Sequence, residues 1–90
     1  MKHKVSAWED MVKAGIALSD IPKGSQEFEI MRQAAENGNA SAQHSMGMWY
    51  QEIAKDLDTA KIWYNKAKEN EHPSAAQALE NLKDEVHHGK

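Results

Sequence analysis

Ala34-Ala-Glu-Asn-Gly-Asn-Ala-Ser-Ala-Gln43 returns in weathered form as Ala67-Lys-Glu-Asn-Glu-His-Pro-Ser-Ala-Ala76, a displacement of 33 residues from Ala34 to Ala67. Under the same shift Trp63 falls on Ile30, Ala67 on Ala34, Glu69 on Glu36, Ser74 on Ser41 and Ala75 on Ala42. A period of about 33 residues is what one helix-turn-helix unit and its connection consume. Each such unit has an apolar face that it cannot bury alone, so successive units stack. The expected fold is therefore all-α: a short α-solenoid of antiparallel helical hairpins, with five helices in about two and a half repeats. The expected division of this single domain is 1–33 as a divergent first unit, 34–66 as the best-formed unit and 67–90 as a truncated capping unit.

Around the repeat, apolar spacing and turn chemistry mark the helices. The first is expected from Ser6 to Leu18, on a stripe of Trp8, Met11, Val12, Gly15 and Ile16. Pro22 and Gly24 then break the chain. Ser25 is placed to cap a second helix over 26–37, which buries Phe28, Met31, Ala34 and Ala35, and Gly38 closes it in a left-handed conformation. The third helix, 40–53, presents Ala42, Met46, Trp49 and Ile53, widened by Gly47 and Tyr50. Asp56 caps a fourth, which buries Ala60, Trp63, Tyr64 and Ala67 and ends near Asn70. A fifth has Pro73 in its first turn and Ala75, Leu79 and Leu82 inside, and Val86 to Lys90 are expected to fray. Turns this short favour antiparallel neighbours.

Shifted by one period, Ala42, Met46 and Trp49 become Ala75, Leu79 and Leu82, so one face of the third helix recurs on the fifth. Its other face changes character, with Gly47 becoming Glu80 and Tyr50 becoming Lys83. A glycine admits close approach of another helix, whereas Glu80 and Lys83 prefer water, so the fifth helix is expected to be a polar-backed cap. Gly15 is the expected counterpart of Gly47 in the first unit, and the array is expected to be complete.

The run Ala34, Ala35, Glu36, Gly38, Ala42, Gly47 and Tyr50, with Met46 where leucine is usual, resembles the Sel-one-like repeats, a branch of the tetratricopeptide-like solenoids. Ala60, Trp63, Tyr64, Lys66, Ala67 and His72-Pro73 resemble the second helix and following turn of the same unit. The resemblance covers residues 34–76 and is weak over 5–25. Two departures stand out: the segment from Gln51 to Leu57 lacks the longer glycine-rich loop, and Glu71 replaces the glycine equivalent to Gly38, so that helix end is expected to close differently. The resemblance implies a non-catalytic scaffold that holds partner proteins on its helical surface, using the first helix of each unit. The secreted, cysteine-rich branch of that family is a poor guide, because this chain has no cysteine.

Composition narrows the partner class. Ninety residues give room for one modest core, burying roughly 60–65% of the unfolded surface. The net charge is −3, from 11 basic and 14 acidic residues, which disfavours nucleic acid and acidic membranes as partners. Without cysteine, disulfides and thiolate metal sites are excluded. No apolar run approaches a membrane span and no leader pattern opens the chain, so a cytoplasmic location is expected.

Candidate sites follow from what the helix stripes leave over. His44, Met48 and Gln51 form a strip on the third helix, off the buried stripe, and are the expected protein-binding residues; adaptable Met side chains suit such surfaces. A merely solvated strip is the competing expectation. Met46-Gly-Met-Trp-Tyr50 is spaced as core rather than as a cofactor pocket. Among five histidines, only Glu85 and His88 have a metal-like spacing, and they lack the further ligands such sites need. Ser41 and Ser45 flank His44 in sequence, yet adjacent helical residues diverge. Interleaved charges (Arg32, Lys61, Lys66 and Lys68 with Glu36, Asp58, Glu69 and Glu71) are expected to form a solvated face. No catalytic residue, cofactor or metal is therefore expected. The expected function is a protein–protein interaction module, small enough to be a dedicated inhibitor, immunity protein or anti-defence factor acting on one macromolecular complex. The alternatives are a small-molecule-binding protein or enzyme with a pocket between hairpins, and a self-associating structural protein, including a homodimer.

Overall fold

A computed structural model describes the backbone of residues 4–88 and the side chains of residues 7–83. The chain is all-helical there, with five α-helices and no strand among the described residues: α1 Lys4–Ala14, α2 Gln26–Glu36, α3 Ala40–Glu52, α4 Leu57–Glu69 and α5 Ala75–His88. A 3-10 turn, Leu18–Asp20, lies between α1 and α2. Each helix packs on the next in chain order, and the 3-10 turn rests on α3.

The two caps read from sequence, Ser25 and Asp56, form, and Asn39 adds a third that the sequence reading does not name. Ser25 Oγ accepts the Phe28 N–H at 3.1 Å, Asn39 Oδ1 accepts Ala42 N–H at 2.9 Å and Asp56 Oδ1 accepts Thr59 N–H at 3.1 Å, each satisfying a donor the helix cannot. Asp56 is held below the usual carboxylate range by hydrogen bonds from the Thr59 hydroxyl and N–H.

The α2–α3 and α4–α5 turns have the same hydrogen bonds one period apart. Asn37, Gly38 and Asn39 donate to Gln33, Ala35 and Ala34; Asn70, Glu71 and His72 donate to Lys66, Lys68 and Ala67. Glu71 was expected to force a different closure. Instead it adopts the left-handed conformation itself, at φ 67° against 98° for Gly38. The backbone bonds outweigh the crowding of its Cβ, which costs about 1–2 kcal/mol.

Other expectations are corrected. Helix α1 stops at Ala14, and Gly15, at φ 71°, ends it with open space where a Cβ would lie. Gly15 is thus a helix terminator and no counterpart of Gly47. Because α1 is short, only Trp8 and Met11 of its stripe are buried, while Val12 and Ile16 stay 54% and 39% exposed. Ile53, past the end of α3, is exposed as well. Pro73 sits in the turn before α5. The backbone of α5 stays helical to His88, beyond the Val86 where fraying is expected; residues 89 and 90 lie outside the described residues.

Two core clusters result. The first joins Trp8, Met11, Ile21, Phe28, Met31 and Trp49 with the small residues Ala34, Ala35 and Ala42, and half-buried Trp63 of α4 packs against it. The Trp49 indole N–H donates to the Ile21 carbonyl at 2.7 Å, pinning the α1–α2 connection to α3. The second is built on Ala60, Tyr64 and Leu82, with Tyr50, Leu57 and Leu79 around it. Between α3 and α4 the Tyr64 ring lies so close to the Gly47 backbone that an added Cβ would stand 2.5 Å from two ring carbons.

Gly47→Ala therefore destabilises the protein by about 1–3 kcal/mol in denaturant unfolding, although alanine is the better helix former. Glu71→Gly does the opposite, adding about 1 kcal/mol by releasing the left-handed strain; an unchanged midpoint would show that the strain is absent.

Candidate functional site

Helix α3 packs between α2 and α4, and the His44, Met48 and Gln51 strip lies along it. All three side chains are half-buried. His44 stacks on His72, with ring centroids 4.3 Å apart and planes 5° from parallel, and its ring lies 5.5 Å from that of Tyr64. Gln51 Oε1 accepts the Tyr64 hydroxyl at 2.6 Å. One tyrosine of α4 thus engages both polar ends of the strip. Met48 packs against the second core cluster and also reaches the α1 side.

On that side the structure shows a feature the strip alone did not announce. A cleft of about 220 Å³ is lined by Trp8, Met11, Val12 and Ile16, together with Leu18 of the 3-10 turn and Met48. Ser45 supplies its polar edge, and none of the described residues lining it is charged. The signal was present in the sequence: the apolar stripe from Trp8 to Ile16 is longer than a helix ended at Gly15 can turn inward.

The geometry also settles the electrostatics. Burial, then the neighbouring His72, pushes the His44 imidazole below its ordinary value. His72 Nδ1 accepts the Ser74 N–H at 3.1 Å at the start of the last helix. A proton on His44 would put charge into a partly buried ring stack, which disfavours the charged form there.

A polar pocket of about 430 Å³ between α2, α3 and α4 has a different character. Gln43, 4% exposed, donates from Nε2 to the Ala35 carbonyl at 2.9 Å and accepts Asn70 Nδ2–H at 2.9 Å. It ties the ends of three helices together, a role that sequence reading missed because glutamine on a helix is usually solvated. No buried side-chain polar atom among the described residues lacks a partner, so this network is structural.

Among the described residues no group of three His, Cys, Asp or Glu side chains is placed to hold a metal ion. Glu85, His87, His88 and His3 have side chains outside the described residues. His44 faces the rings of His72 and Tyr64. The charged α2 face is self-paired: Arg32 bonds Glu29, and Glu36 at 2.8 Å, so that Arg32 is held above and Glu29 below its usual range. Lys66 rests over the Trp63 ring at 5.9 Å. No helix among the described residues is long and apolar enough to cross a membrane. Compared with known proteins, the chain matches no family model, no curated protein and no solved structure.

The depressed imidazole fixes a pH dependence. A group more easily protonated when unfolded contributes stability that is complete above 6.5, its ordinary value, and declines as pH falls below it. Thermal midpoints should drop between pH 7 and pH 5, and His44→Gln should flatten that slope. An equal slope in the variant would place the titration elsewhere.

Proposed function

We propose that this chain is a non-catalytic protein-binding module, a short Sel-one-like solenoid that holds one partner on the surface made by α1, the 3-10 turn and α3. The observation that carries this reading is the uncharged cleft flanked by exposed Val12 and Ile16 and continued by Met48. Exposed apolar residues gathered at one site, rimmed by polar ones, mark interaction surfaces more often than scattered ones do. Its volume is below the roughly 300–1,000 Å³ usual for small-molecule sites, and it suits one or two anchoring side chains of a protein. A soft methionine at the edge lets the floor adapt to them.

The solenoid reading is supported by the recurrence of one turn geometry at a 33-residue interval, Gly38 to Glu71, and by packing in chain order. The small size fits a dedicated inhibitor, immunity protein or anti-defence factor better than a multi-partner scaffold. His44 and Gln51 lie outside the cleft lining, on the α4 side of α3, where each contacts Tyr64.

Affinity capture from the native host should recover one dominant protein. Val12→Glu and Ile16→Glu, at exposed positions of the cleft lining, should each reduce its recovery about tenfold or more while leaving the thermal midpoint near that of the parent, since a buried unpaired charge at an interface costs several kcal/mol. Ile62→Glu, at an exposed position outside the cleft lining, is the control. Equal recovery by all three variants would end this assignment of the surface.

A further inference from the structure

Asn37 is the one asparagine of this chain followed by glycine; Asn39, Asn65, Asn70 and Asn81 all precede residues with side chains. Asparagine is chemically labile, and its lability depends on the next residue. The backbone nitrogen that follows can attack the carboxamide carbon, and a glycine leaves that nitrogen uncrowded. The two helix-closing turns hold this pair and its counterpart, Asn70 and Glu71, in nearly one conformation. Asn37 lies at φ −82° and ψ 3°, Asn70 at φ −95° and ψ 17°. Both asparagines are exposed to water.

The folded turn keeps the reacting atoms apart. At ψ near zero the Gly38 nitrogen eclipses the backbone nitrogen of Asn37 about the Cα–C bond, so it lies away from the Cβ that carries the carboxamide. Its proton is committed as well, donated to the Ala35 carbonyl at 3.0 Å, and the Asn39 N–H goes to the Ala34 carbonyl at 3.1 Å. Attack requires ψ to turn, which breaks these bonds; that is a local opening and needs no global unfolding. Asn70 has a further restraint, since its Nδ2 donates to Gln43 at 2.9 Å.

We propose that Asn37 is a site of spontaneous deamidation whose rate is set by opening of the α2–α3 turn. In the open turn the Gly38 nitrogen gives up its proton and bonds to Asn37 Cγ; the Cγ–Nδ2 bond breaks, and the amide leaves with that proton as ammonia. Water then opens the cyclic imide at either carbonyl, giving aspartate or isoaspartate. Isoaspartate puts its Cβ into the main chain, so the Gly38 and Asn39 N–H groups no longer meet the Ala35 and Ala34 carbonyls in register. Asn39 is thereby withdrawn from the Ala42 N–H that its side chain caps at 2.9 Å. Either product sets a carboxylate at the C-terminal end of α2, where the helix dipole opposes it. The turn that closes α2 and starts α3 therefore carries its own slow chemical limit, independent of what the α1–α3 cleft binds.

The test holds the full chain at mildly alkaline pH, in buffer and in guanidinium chloride. Each asparagine is followed by peptide mass spectrometry that resolves isoaspartate from aspartate. Asn37 should convert first in both solutions, at least about tenfold faster in guanidinium, because the folded chain is reactive only in its open fraction. Asn39→Ala, which removes the α3 cap and keeps Asn37 and Gly38, should speed conversion in buffer and leave the guanidinium rate unchanged. Glu71→Gly, which removes the side chain after Asn70, should raise Asn70 to the rate of Asn37 in guanidinium. The converted protein should unfold at a lower temperature than the fresh one. Equal Asn37 rates with and without denaturant, or earlier conversion at another asparagine, would overturn the proposal. So would a folded Asn39→Ala chain that converts no faster, or a converted protein with an unchanged thermal midpoint.

Discussion

The Tyr64 ring lying on the bare backbone of Gly47 is the constraint from which most of this molecule's arrangement follows. A glycine inside α3 weakens that helix by about 1 kcal/mol relative to alanine; what offsets it is a tyrosine fully buried between two helices. With the ring in place, α4 lies close enough for Trp63 to reach the first core cluster. The same ring then orients the surface. Its hydroxyl bonds Gln51, and its face lies beside His44. The polar ends of the α3 strip are therefore set by the contact that closes the core, and Met48 between them is left as the adaptable member.

A second constraint governs the amino-terminal half. Trp49 donates to the Ile21 carbonyl and lies 4.8 Å from the Phe28 ring, so one indole joins α3, α2 and the irregular segment between α1 and α2. That bond holds Leu18 and the 3-10 turn against α3. The segment after α1 is thus fixed to α3, while among the described residues α1 contributes Trp8 and Met11 to the buried set. An apolar face with too little cover is the result, and the cleft is where that shortage is concentrated.

Much of this was legible in the chain, and the failures share a cause. Caps at Ser25 and Asp56, the closing glycine at position 38 and the inward stripe of α2 follow from local chemistry, and all form. Glu71 misled because residue preference suggests what a position favours, whereas three backbone hydrogen bonds decide what it adopts. Gly15 misled because a glycine that ends a helix and one that admits a ring are the same letter. The His44–His72 stack was beyond a helix-by-helix reading, since it depends on how α3 is rotated against the turn before α5. Gln43 belongs with it: its three-helix bond set exists only once α2, α3 and α4 meet.

One repeated backbone rule thus yields two surfaces of opposite chemistry. Where α1 is short, apolar residues go uncovered and no described residue lining the cleft is charged. Where α5 has exchanged Gly47 and Tyr50 for Glu80 and Lys83, the apolar floor of Leu57, Leu79 and Leu82 persists beneath a rim of both signs, Lys61, Lys68 and Lys83 with Asp58 and Glu80. The same helix spacing therefore ends in apolar exposure on one side and in water-seeking charge on the other, because a charged side chain in place of Gly47 prefers solvent to a packed helix.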